Sequence, residues 1–61
     1  MLRYSAEEVA TIFYYKRMLE PSLNLVLLIE QLEEESGYPI DLTEVCKELN
    51  LIIHEGKDLF S

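Results

Sequence analysis

The chain carries one thiol and one imidazole, Cys46 and His54, and a run of carboxylates at Glu30, Glu33, Glu34 and Glu35. A thiol nucleophile needs a base within hydrogen-bond reach. Cys46 and His54 are eight residues apart, which sets them about 80° apart around a helix and rules out direct pairing. A structural zinc site takes four ligands, and one Cys with one His do not supply them. A carboxylate-bridged metal centre in a helical bundle uses Glu-x-x-His. The residue three before His54 is Leu51, so that motif is missing. Calcium-binding and glycine-rich phosphate-binding loops are missing too. The expectation is a non-enzymatic protein with no catalytic residue, no cofactor and no metal. Cys46 is expected in the core, as a small inert hydrophobe. His54 is expected to complement the negative end of its helix.

The carboxylates are the stronger signal. Twelve Asp and Glu stand against five Lys and Arg, for a net charge of −7. Nucleic-acid binding requires cations that displace counterions from phosphate, so no direct nucleic-acid partner is expected. Acids at this density keep a small apolar protein in solution, and they also suit a partner with a basic surface. Glu33, Glu34 and Glu35 close a helix whose C-terminal dipole is negative, where each charge costs roughly 0.3–1 kcal/mol. That placement makes Glu30, Glu33, Glu34 and Glu35 the candidate acidic partner-binding residues.

Three helices must position these groups. Ser5-Ala6-Glu7-Glu8 has the form of a capping box, with Tyr4 and Val9 at the flanking apolar positions that fix the chain's entry. A first helix is predicted over 6–19, with Val9, Ile12, Phe13 and Leu19 on one face. Pro21 ends or kinks it near Leu19, since proline lacks an N–H and disfavours helical angles at Glu20. A second helix is predicted over 22–36, with Pro21 at its first turn or Ser22 as its cap, and Gly37 as its stop. Its buried face would be Leu25, Val26, Leu28, Ile29 and Leu32. Asp41-Leu42-Thr43-Glu44 repeats the capping box, with Ile40 and Val45 at the flanking positions. A third helix is predicted over 42–55, burying Leu42, Val45, Cys46, Leu49, Ile52 and Ile53, and ending at Gly56. Leu59 and Phe60 in the tail are expected to fold back or dock on a partner. The fold class is therefore all-α, a single small three-helix domain over 1–61, whose first two helices form a hairpin broken at Pro21.

Two stretches resemble parts of DNA-binding domains. Tyr4-Ser5-Ala6-Glu7-Glu8-Val9-Ala10 is similar to the opening helix of excisionase-like and MerR-like domains. Asp41 through Leu51 looks like the first helix and turn of a helix-turn-helix unit, with Asn50 at the usual glycine. The residues that follow, His54, Glu55, Gly56 and Asp58, set a glycine and acids where a recognition helix would meet phosphate. No DNA-contacting residue is carried over.

Sixty-one residues bury only about 60% of the surface exposed by the unfolded chain, so such domains lean on disulfides, metals or partner chains. A single cysteine excludes an internal disulfide and fits a reducing compartment. The opening residues run straight into Glu7 and Glu8 without an apolar signal core. The longest apolar run, Leu25 to Ile29, is far short of the roughly 20 residues that span a bilayer. A cytoplasmic protein without a membrane partner is expected. The support left is another protein. Phe13, Tyr14, Tyr15, Met18, Leu23 and Leu27 exceed what one small core holds, and aromatic and Met side chains are typical of interface centres. They are the candidate apolar partner-binding residues, and a homodimer through the first two helices is expected. The function implied is a small acidic regulator, inhibitor or adaptor. The alternatives are a nucleic-acid-mimicking inhibitor or antitoxin that blocks a basic cleft, and a structural subunit of a larger complex.

Overall fold

The computed structural model describes residues 3–56. Three helices follow in order: α1 (Ala6–Leu19), α2 (Leu25–Ser36) and α3 (Leu42–Glu55). No strand occurs among the described residues. The expected tail contacts of Leu59 and Phe60 lie outside them.

Local chemistry sets each boundary. Ser5 caps α1: its Oγ accepts from the Glu8 N–H at 3.1 Å, and the Ser5 N–H donates to Glu8 Oε1 at 3.3 Å. At the other end the Glu20 N–H closes on the Lys16 carbonyl at 2.9 Å. Glu20 itself is extended, φ −137° and ψ 86°, as the following Pro21 demands. Gly37 and Gly56 end α2 and α3 in the left-handed region, at φ 76° and 65°, where a side chain would be strained. Helix α3 runs through Leu51-Ile52-Ile53 as its periodicity requires, despite the β-branched residues.

The start of α2 differs from expectation. It begins at Leu25 rather than 22, because neither Pro21 nor Ser22 starts it. Asn24 is the cap, and its Oδ1 accepts from the Val26 N–H at 2.9 Å and the Leu27 N–H at 3.4 Å. A turn closed by the Leu23 N–H on the Glu20 carbonyl keeps 21–23 outside the helix. Asn and Ser cap about equally well, so cap chemistry alone does not separate Ser22 from Asn24, and the turn places the start at Asn24. The Asp41 cap holds as expected, with Oδ1 accepting from the Thr43 N–H at 2.9 Å. Glu44 does not complete the second box; its carboxylate turns to Lys47 at 3.6 Å.

The core is Val9, Ala10, Phe13, Leu28, Ile29, Leu32, Val45 and Ile52, with Tyr4, Ile12, Leu23, Leu25, Ile40 and Leu49 packed against it. Helix α1 packs chiefly on α3 and more lightly on α2. Ala10 is fully buried, and its small side chain lets a neighbouring helix close in.

Several side chains expected inside are outside. Cys46 is exposed, because the face of α3 turned inward centres on Val45, Leu49 and Ile52. Ile53 and Leu42, at the edges of that stripe, are half out of the core. Leu19 is 90% exposed, as the last residue of α1 with no helix beyond it to pack on. Val26 is exposed as well, since α2 turns Leu28, Ile29 and Leu32 inward.

Candidate functional site

The acidic end of α2 is partly structural. Glu33 is half-buried, and its Oε2 accepts from the Ile40 N–H at 2.8 Å. That bond ties the end of α2 to the residue preceding the α3 cap. Ser36 is buried in the same corner, where its Oγ accepts from the Tyr38 N–H at 3.2 Å. The Arg3 guanidinium lies 4.8 Å from the centre of the Tyr38 ring, a cation–π contact that fastens the N-terminal segment to the same corner. Glu33 is thus corrected from a free acid to a clamp. Its unfavourable place on the dipole is offset by a charge-assisted hydrogen bond. Glu30, Glu34 and Glu35 are exposed. The sequence signal for the clamp, a Glu seven residues before an apolar residue that precedes a cap, is too common to read without the fold.

The expected apolar residues divide three ways. Phe13 is 6% exposed and belongs to the core, so it offers no face to a partner. Tyr14 and Met18 line a groove with Arg17 and, from α3, Ile53. Tyr14 and Tyr15 meet edge to face with ring centres 5.8 Å apart. Leu23 and Leu27 line a second groove along α2 with Leu28, Glu30, Gln31 and Glu34. Sequence periodicity had placed these side chains in one surplus; the structure splits them into two grooves. The first has a cation on its rim and the second has carboxylates.

Sequence reasoning missed Leu19, Val26 and Ile53 as exposed apolar groups. The position of Leu19 at a helix end was a signal for it. Nothing comparable marked Val26 or Ile53.

Cys46 and His54 do come near the same surface. They line a third groove with Leu49, Asn50 and Ile53. Among the described residues no group of His, Cys, Asp and Glu is arranged to hold a metal ion. None of their buried side-chain polar atoms lacks a hydrogen-bond partner, so no buried polar hook awaits a ligand. No helix among them is long and apolar enough to cross a membrane. The chain matches no protein-family model, no curated protein and no solved structure.

Proposed function

We propose that this chain is a small acidic protein-binding module, a regulator, inhibitor or adaptor that works by docking rather than by catalysis. One observation carries the proposal. Among the described residues seven large apolar side chains stay outside the core, including Met18 at 60%, Leu27 at 63% and Leu19 at 90% exposed. Scattered exposed apolar residues are ordinary. Here Tyr14 and Met18 join Ile53 across α1 and α3, and Leu23 joins Leu27 along α2, each set lining a groove. Grooves of this kind with polar rims suit protein contacts.

The direct test is affinity capture from the native cell lysate, with the chain compared against a Met18→Ser/Leu27→Ser double variant. Both side chains are exposed, so the fold should persist, as circular dichroism would check. The proposal expects a specific partner to be lost with the double variant. Equal capture by both baits would refute it.

A second reading is self-association through the end of α1, carried by Leu19 and Met18, both exposed in its last turn. Sedimentation equilibrium decides it. A dimer that Leu19→Ser converts to monomer supports it, and a concentration-independent monomer removes it. Nucleic-acid mimicry has weaker support, because Glu33 is engaged internally and fewer acids remain free to face a basic cleft.

A further inference from the structure

The groove along α2 combines two chemistries in a fixed order. Leu23 and Leu27 form its N-terminal part, with the buried Leu28 at its base. Glu30, Gln31 and Glu34 form the continuation toward the C-terminus. Leu27, Glu30 and Glu34 follow one another at helical spacing, so they stand in one stripe. Leu27 and Glu34 are about 10 Å apart along the axis, at 1.5 Å per residue. Helix α2 contains no basic residue from Leu25 to Ser36, so neither carboxylate has a cation on its own helix.

We propose that this groove receives a basic amphipathic helix from another protein, with an apolar anchor over Leu23 and Leu27 and Lys or Arg over Glu30 and Glu34. The proposal rests on the protein-binding reading above and names the site and the partner's chemistry. The occupant's pattern follows from the stripe. For a helix running parallel to α2, its anchor and its first cation are one turn apart, and a second cation lies one further turn on, as in Leu-x-x-Lys-x-x-x-Lys. This is recognition of a helix by a groove, with anchors spaced by turns.

Charge argues against a second copy of this chain as the occupant. Two α2 stripes side by side in parallel bring Glu30 and Glu34 against their own counterparts. In antiparallel order Leu27 of one copy covers Glu34 of the other, and a carboxylate leaves water with no cation to receive it. A basic helix has neither conflict, and the net charge of −7 also draws it in from a distance.

The test uses the full chain and three synthetic 18-residue peptides: a Leu/Lys amphipathic helix with the stated pattern, the same peptide with Glu for Lys, and a scramble of the Leu/Lys sequence. Binding is read by fluorescence anisotropy in low salt, and the site by amide chemical-shift changes. The expected result is binding of the ordered Leu/Lys peptide alone, with shifts concentrated on Leu23–Glu34. Leu27→Ser should weaken binding about tenfold, and Glu30→Lys/Glu34→Lys about tenfold or more, from the summed loss of two surface pairs and their replacement by repulsion. The control Glu55→Lys, on α3, should change it less than twofold, which separates the groove from general attraction to an acidic protein. Equal weakening by the control, equal binding of the scramble, or shifts confined to Tyr14, Met18 and Ile53 would overturn the assignment. The last of these would leave the protein-binding reading intact and move its site. That reading fails on its own test, when lysate capture ignores the Met18→Ser/Leu27→Ser variant.

Discussion

The groove along α2 and the groove between α1 and α3 are built from the same kind of apolar side chain and differ in what borders them. Leu23 and Leu27 stand beside Glu30 and Glu34, whereas Tyr14 and Met18 stand beside Arg17. Burial of apolar surface is non-directional and supplies affinity to either groove. The rim charges decide which partner gains it. The grooves also differ in construction. The first is lined by α2 and by Leu23 from the turn that precedes it, and depends on that helix being capped and docked. The other needs α1 and α3 held together, because Ile53 reaches it from α3. A chain with too little core to bury all of its apolar residues thus presents them in two charge contexts.

The largest effect expected removes both grooves at once. Phe13 is 6% exposed in the core shared by α1, α2 and α3. Phe13→Ala should cost about 3–5 kcal/mol, which approaches the whole stability of a domain this small. Loss of a cooperative thermal transition by circular dichroism is the expected outcome. A melt shifted by only a few degrees would show that the grooves do not share one core.

The next separates the two grooves. Leu27→Ser should leave stability within about 0.5 kcal/mol, as for most surface substitutions. It should weaken a ligand of the α2 groove by about 1.4 kcal/mol, which is tenfold. Met18→Ser should do neither to that ligand. Isothermal titration of both variants with one peptide reads the difference, and equal losses would merge the grooves into one surface.

A smaller effect distinguishes adjacent acids. Glu33→Ala removes the acceptor of the Ile40 N–H and should cost about 1 kcal/mol, a charge-assisted bond discounted for partial exposure. In a domain of this size that lowers Tm by about 4–8 °C. Glu34→Ala should change Tm by less than about 2 °C, since its carboxylate is exposed and a surface substitution of that kind costs little. Thermal melts of the two variants are the check; equal shifts would deny Glu33 its clamping role.

Much of the fold was legible in the sequence, and the reason is local. Ser5 with Glu8, and Asp41, are caps whose chemistry acts within one turn, so α1 and α3 were readable at both ends. Gly37 and Gly56 ended their helices for the same reason. The start of α2 was not readable, because Pro21 and Ser22 are plausible starts and the turn at Glu20–Leu23 passes the cap to Asn24 instead. The first turns of α2 were ambiguous in a second way. Leu25-Val26-Leu27-Leu28-Ile29 has no polar position to mark the outer face, so nothing in the run says that Val26 faces out. Cys46 was misplaced by similar logic: it lies on the apolar side of α3 but at its edge, and an edge is set by the neighbouring helix rather than by periodicity. Of the expected apolar residues, Tyr15, Met18 and Leu27 are exposed, while Tyr14 and Leu23 pack in part against the core and also line grooves with Met18 and Leu27. Their division between two grooves depends on packing far apart in sequence. The role of Glu33 depends on a backbone N–H seven residues away that only the folded corner brings within 2.8 Å.

The most direct test of the account is capture from native lysate by the Leu27→Ser and Met18→Ser single variants, each washed at low and then high salt. The account predicts that Leu27→Ser loses the principal partner, that Met18→Ser keeps it, and that high salt strips it from the unmodified chain, because Glu30 and Glu34 contribute through exposed pairs. A partner that survives Leu27→Ser and high salt but disappears with Met18→Ser would contradict the account and assign binding to the groove between α1 and α3.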